Sequence, residues 1–264
     1  LSPVRVGQAA CMAVVSLFVQ AEKWRVLLVY LIPRVRRKEA LVSLLAGMGL
    51  GLFTPGRVGE LGRGLLFSSR RGKITLLTAA DRGISMAITV LFGSFSFALL
   101  EMHYLSLACF SLLLLSIGTI LFIRNGNTVR FRLLERIVVV FPLVPQRAWL
   151  VSSLWAVLFN CIFFIQFSLL LCGDDEGALG ASALAPAIFV VKSLMPISFF
   201  DIGIREGAAV WLFTKRGLNP LPAFNAAFGM FVLNVAVPGA VGWYFVARAA
   251  LKKHGIGIDR KDVE

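Results

Sequence analysis

Residues 40–63 read ALVSLLAGMGLGLFTPGRVGELGR, and this stretch decides the fold. Its first part, 40–53, carries no charge. A helix rises ~1.5 Å per residue, so these ~14 residues cover ~21 Å, short of the ~30 Å that a bilayer core requires. The run stops at Thr54-Pro55-Gly56-Arg57-Val58-Gly59-Glu60-Leu61-Gly62-Arg63, and Arg70, Arg71 and Lys73 follow soon after. Arg34, Arg36, Arg37 and Lys38 stand just before it. Basic residues at both ends place both ends on the cytoplasmic side. A hairpin that enters and leaves the membrane by one face fits this pattern best.

The rest of the chain sets that hairpin among full spans. Of 264 residues, 58% are hydrophobic and 16% charged, more apolar than a soluble domain. The apolar residues are blocked rather than alternating, which favours helices over a barrel. The first helix is expected over residues 6–31, its charged end carrying Glu22, Lys23 and Arg25. Residues 84–100 then cross outward and 104–123 return. Residues 129–141 mix Arg130, Arg132, Glu135 and Arg136 with apolar side chains and suit the inner interface. Residues 148–172 cross outward again, toward the acidic loop Gly173-Asp174-Asp175-Glu176-Gly177. A last helix, 223–247, leads to a basic tail over 248–264. The formal charge of +13 sits in short connections. It therefore reads as a topology signal facing anionic lipid, not as a nucleic-acid surface. The whole chain reads as a single integral membrane domain, multi-pass in the plasma (inner) membrane, with its C-terminus cytoplasmic. It opens at Leu1 without Met, so a preceding helix of a longer protein is expected.

A second interrupted element resembles the first. Residues 181–194 are again too short to cross, and they end at Met195-Pro196-Ile197-Ser198-Phe199-Phe200-Asp201-Ile202-Gly203-Ile204-Arg205-Glu206-Gly207. A half-helix then runs to about Phe213. By the loop charges the two elements enter from opposite sides, the arrangement of inverted-repeat transporters whose site lies near the midplane. The expected fold is therefore all-α: a polytopic helical membrane protein with two re-entrant hairpins in an inverted-repeat-like arrangement.

The breaks carry the chemistry. Thr54 before Pro55 reads as an N-cap with Pro at the first helical position, and Asp201 suits the same role in the second return helix. Each return helix would begin inside the membrane with unpaired N–H groups and a positive dipole end. Gly56, Gly59 and Gly62 would leave one face bare, as close approach of a phosphate requires. Gly47 and Gly51 are spaced for helix packing. Charges at membrane depth face a cavity or a partner. The candidates are Arg57, Glu60, Arg63, Asp81, Arg82, Lys192, Asp201, Arg205 and Glu206, five basic and four acidic. Mutual pairing would leave about one positive charge, which suits an anionic or zwitterionic head group. The bland alternative is that Glu60 and Glu206 pair with Arg63, Arg82 or Arg205 to hold the hairpins together. Asp81 and Arg82 equally suit the cytoplasmic start of a helix. Asn160 and Asn234 read as interhelical hydrogen-bonding groups. Cys11, Cys109, Cys161 and Cys172 read as small apolar residues. His103 and His254 stand alone, so neither a metal nor a cofactor is expected.

At these motifs the chain resembles the lysylphosphatidylglycerol synthase transmembrane-region family, also called flippase-like or AglD-like membrane proteins. The match rests on Trp24-Arg25, on Thr54-Pro55-Gly56-Arg57-Val58-Gly59-Glu60 with Arg63, on Asp81-Arg82, and on Pro196-Ile197-Ser198 through Gly203-Ile204-Arg205-Glu206. The family often has Glu where Asp81 stands, Gly-Gly where Phe200-Asp201 stands, and an Arg near Asn234. The resemblance implies a domain that moves or accommodates a lipid, such as an aminoacylated phospholipid or a polyprenyl-linked sugar. With the residues above it gives a lipid flippase whose substrate-binding set is Arg57, Glu60, Arg63, Arg82, Asp201, Arg205 and Glu206. The alternatives are a membrane partner or scaffold of a lipid synthase or glycosyltransferase and, with less support, a membrane-embedded transferase using Glu60 or Asp201 as general base. No catalytic signature favours an enzyme.

Overall fold

The computed structural model describes residues 3–67, 69–124, 141–171, 183–195 and 202–253, and every regular element among them is helical. In chain order these are α1 (Pro3–Leu28), α2 (Arg37–Leu52), a 3-10 segment (Pro55–Leu66), α3 (Arg71–Leu99) and α4 (His103–Arg124). After a short 3-10 turn (Phe141–Leu143) come α5 (Gln146–Leu171), α6 (Ala185–Leu194), α7 (Ile204–Lys215), α8 (Pro220–Phe231) and α9 (Val237–Lys253). A π-helical turn, Val232–Ala236, joins α8 to α9. Among the described residues, four stretches are long and apolar enough to cross a membrane: α1, α3, α5 and the run Pro220–Leu251. Phe95, Leu115, Leu150 and Leu154 are each more than half exposed on the outside of the bundle, where lipid would cover them.

α1 lies along α5, α3 packs on α4 and α6, and α7 packs on α8. Two apolar cores result. One gathers Trp24, Leu27, Leu44, Ile74 and Leu77 from the first three helices, and the other gathers Phe167, Ile188, Leu212 and Met230 from the later ones.

α2 and the 3-10 segment form an antiparallel pair held by missing side chains. A Cβ on Gly59 would run into the Leu50 carbonyl, one on Gly51 would stand 2.8 Å from Glu60 Cγ, and one on Gly47 2.6 Å from Arg63 Cγ. The opposite face of α2 meets α9, where Gly49 and Gly242 bring the two backbones together. Close backbone approach at small residues is the usual way for helices to associate where burial from water no longer drives them. One expectation changes here: the Gly59 and Gly62 face is filled by Leu50 rather than left for a ligand. Gly47 and Gly51 pack closely on the 3-10 segment at Arg63 and Glu60, the helix packing that their spacing predicts.

The return strand of this pair is not an ordinary capped helix. Gly56 and Arg57 sit in the left-handed region, with φ of 59° and 57°, a costly choice for Arg. Thr54 therefore does not reach the second or third helical N–H; its hydroxyl accepts from Gly59 N at 2.7 Å, beyond the kink. Nine residues of 3-10 geometry, 58–66, follow the kink, longer than such turns usually run.

α6 packs against α7 as the second short pair. Residues 196–201 between them lie outside the described residues, as do the Asp201 cap, residues 129–140 of the expected interfacial stretch and the expected acidic stretch 173–177. The N-cap of α7 is Gly203, with φ of 98°, and its N–H donates to the Glu206 carboxylate at 2.8 Å. α3 also departs from expectation. It begins at Arg71, so Asp81 and Arg82 lie well inside a span instead of at its start. Ile74, Leu77, Thr78 and Asp81 are buried at helical spacing, which carries the polar residue into the bundle.

Candidate functional site

The charges of the first pair form one connected cluster. Glu60 stands at its centre. Arg57 Nη2 lies 2.6 Å from Glu60 Oε1, while Arg82 Nη1 and Arg63 Nη2 lie 2.8 and 3.3 Å from Oε2. Arg82 also donates to the Arg57 carbonyl at 2.9 Å, bracing the left-handed turn from α3. Arg63 reaches on to Asp81 at 3.1 Å, and Asp81 pairs with Lys23 of α1 at 2.9 Å. Lys23 Nζ donates to Ser85 Oγ as well.

Arg63 is fixed at both ends. Its guanidinium lies over the Trp24 ring, 5.1 Å from the centroid, and its carbonyl accepts from Ser43 Oγ at 3.0 Å. Trp24 Nε1 donates to that same Ser43 oxygen at 3.3 Å. Charged hydrogen bonds of this kind are short and strong inside a low-dielectric interior, and removing one partner leaves the other exposed to the full cost of burial.

The second pair contributes differently. Arg205 is 1% exposed; its Nε lies 3.4 Å from Glu206 Oε1 and its guanidinium 5.8 Å from the Phe231 ring centroid. Glu206 thus serves two groups, Arg205 and the N-terminus of its own helix.

Both pairs open onto one cavity of about 470 Å³. Arg57, Glu60, Arg63, Arg82 and Arg205 line it together with Lys23, Asp81 and Lys192. Phe159, Phe163 and Phe189 make an apolar wall, and Asn160 and Asn234 line it too. Of the candidate set, Glu206 acts through Arg205 and Asp201 lies outside the described residues. The asparagines bind across helices as read: Asn160 Oδ1 accepts from Thr89 at 3.0 Å, while Asn234 accepts from Ser16 at 3.2 Å and donates to Gln166 at 3.1 Å.

Lys23 is the member that sequence reasoning missed. In the chain it stands beside Glu22 and near Arg25, yet those two pair with each other at 2.8 Å. The usable signal is phase. Ser16, Val19, Lys23 and Leu27 are all buried and recur at helical spacing, so Lys23 belongs to the inward stripe of α1.

Apolar helices long enough to span, packed around a cavity rich in arginine, define a multi-pass helical membrane protein with a charged site among its helices. The sequence profile described as Lysylphosphatidylglycerol synthase TM region matches residues 1–242, and the chain belongs to that family. Comparison with curated proteins and with solved structures gives no match.

Proposed function

We propose that this protein moves a lipid with a phosphate-bearing head group across the membrane, holding the head group in the cavity between the two short helix pairs. The charge of that cavity carries the reading. Six basic side chains line it, namely Lys23, Arg57, Arg63, Arg82, Lys192 and Arg205, against the acids Glu60 and Asp81. Among the described lining residues the formal surplus is four, or three when Glu206, bonded to Arg205, is counted. A cavity lined mainly by basic side chains inside a helical bundle favours an anion. Arg57, Arg63 and Arg205 are the phosphate contacts in this reading, with Arg82 bracing Arg57 and Glu60 and with Glu206 orienting Arg205. Asp201 belongs to the same set through its place in the second break. The phenylalanine wall suits the first methylenes of the acyl chains.

In the same reading the two pairs are re-entrant, entering from opposite faces of the plasma membrane, and the basic C-terminal residues are cytoplasmic. The helix lengths support this. α2, α6 and α7 have 16, 10 and 12 residues, giving about 24, 15 and 18 Å at 1.5 Å per residue, all below a bilayer core.

The test is reconstitution in vesicles with fluorescent phosphatidylglycerol. Leaflet exchange well above that of protein-free vesicles is the expected result, and exchange no faster than theirs overturns the proposal. New lipid species in the same vesicles would favour a transferase instead.

A further inference from the structure

Glu60 has more partners than a structural ion pair needs. Its carboxylate is 7% exposed and lies within 3.3 Å of three guanidinium groups, Arg57, Arg63 and Arg82. Two of those belong to its own 3-10 segment and the third to α3. All four side chains line the cavity. A planar anion ringed by three guanidiniums is the chemistry that a phosphate would find there, since arginine offers a fork of donors to either group.

We infer that Glu60 is a resident counter-anion: it occupies the position that a phosphate would take in the cavity, and the arriving phosphate displaces it from the arginines. This deepens the proposed function and rests on that reading of the site.

The physical role is to set affinity. A carrier must release what it binds, and a cluster of arginines without a competing anion would hold a phosphate too firmly to let it go. Glu60 stabilises the unloaded site by the same interactions that it must surrender on loading. The occupied state therefore gains only the difference between two anions. Glu60 is in this sense a positioning and affinity-setting residue, not a ligand to the substrate.

The sign of the mutational effect separates this role from simple support of the fold. Glu60→Gln keeps the shape and removes the competing charge. Purified wild-type and variant proteins in detergent would be titrated with inorganic phosphate and with dioctanoyl phosphatidylglycerol, using uncharged dioctanoylglycerol as control. Glu60→Gln is expected to bind the phosphorus-bearing probes roughly tenfold more tightly, a difference of about 1.4 kcal/mol, while its vesicle exchange rate falls. Glu60→Asp, with the carboxylate drawn back by one methylene, is expected to fall between the two, and it carries the test should the glutamine variant fail to fold. A gain with phosphate as well as lipid places the effect on the shared phosphate; a gain with lipid alone places it on the whole head group. Wild-type binding with an equal or weaker variant overturns the counter-anion role and leaves the site standing. No binding of either probe by any of the proteins overturns both.

Discussion

The two short helix pairs solve one problem in different ways. In the first, backbone touches backbone: Gly59 sits on the Leu50 carbonyl, and Glu60 and Arg63 fold over Gly51 and Gly47. In the second, Gly207 has open space where a Cβ would go. There Arg205 is also bonded to the next residue in the chain. The first pair is thus welded to α1 and α3 by a chain of ions, and the second is held by ordinary side-chain packing on α8. A site built between them has one rigid wall and one that can be altered cheaply.

That contrast breaks most sharply at Gly59. Gly59→Ala should cost on the order of 4 kcal/mol, because the obstacle is backbone and cannot rotate away. Thermal unfolding in detergent checks this, and a wild-type midpoint would mean the pair is looser than described. Next is Asp81→Asn, which leaves Lys23 and Arg63 buried without their shared carboxylate and should cost about 3 kcal/mol. Adding Lys23→Met to it should restore part of the loss; no recovery would show that Lys23 is not held by Asp81. Arg57→Gln and Arg205→Gln should each slow lipid exchange about tenfold, the worth of one charge-assisted hydrogen bond. If only one of them matters, the cavity is not shared between the pairs. The smallest effect belongs to Gly207→Ala, expected within about 0.5 kcal/mol of wild type.

Much of the fold was legible because the bilayer imposes simple arithmetic on helix length. The short run before Thr54 and the one before Met195 both read correctly as too short to span, and α2 and α6 are that short. The start of α3 did not read correctly. Thr75, Thr78, Asp81 and Arg82 lower its hydropathy, and only the buried stripe of Ile74, Leu77, Thr78 and Asp81 shows that the helix already runs through them. Within the site, Arg57, Glu60, Arg63, Arg82 and Arg205 stood out because charge beside Pro and Gly in an apolar chain has few other uses. Lys23 was hidden by its neighbours. The left-handed Arg57 was hidden more deeply, since it depends on an Arg82 that comes 25 residues later to brace its carbonyl. Gly59 and Gly62 face Leu50 rather than a ligand, because spacing along a helix does not say which neighbour will fill the gap.

The wide turn at Val232–Ala236 sets the phase of everything after it. Each residue of an α-helix advances the chain by roughly 100°, so the extra residue that a π turn holds rotates α9 relative to α8 by that much. α8 uses one side to receive α7 and to present Phe231 to Arg205, while α9 must show Gly239 and Gly242 to α2. An uninterrupted helix could not aim both sides correctly at once. Shortening that turn by a single residue would swing the small residues away from Gly49 and unseat α2, even though every contact made by α8 stayed as it was.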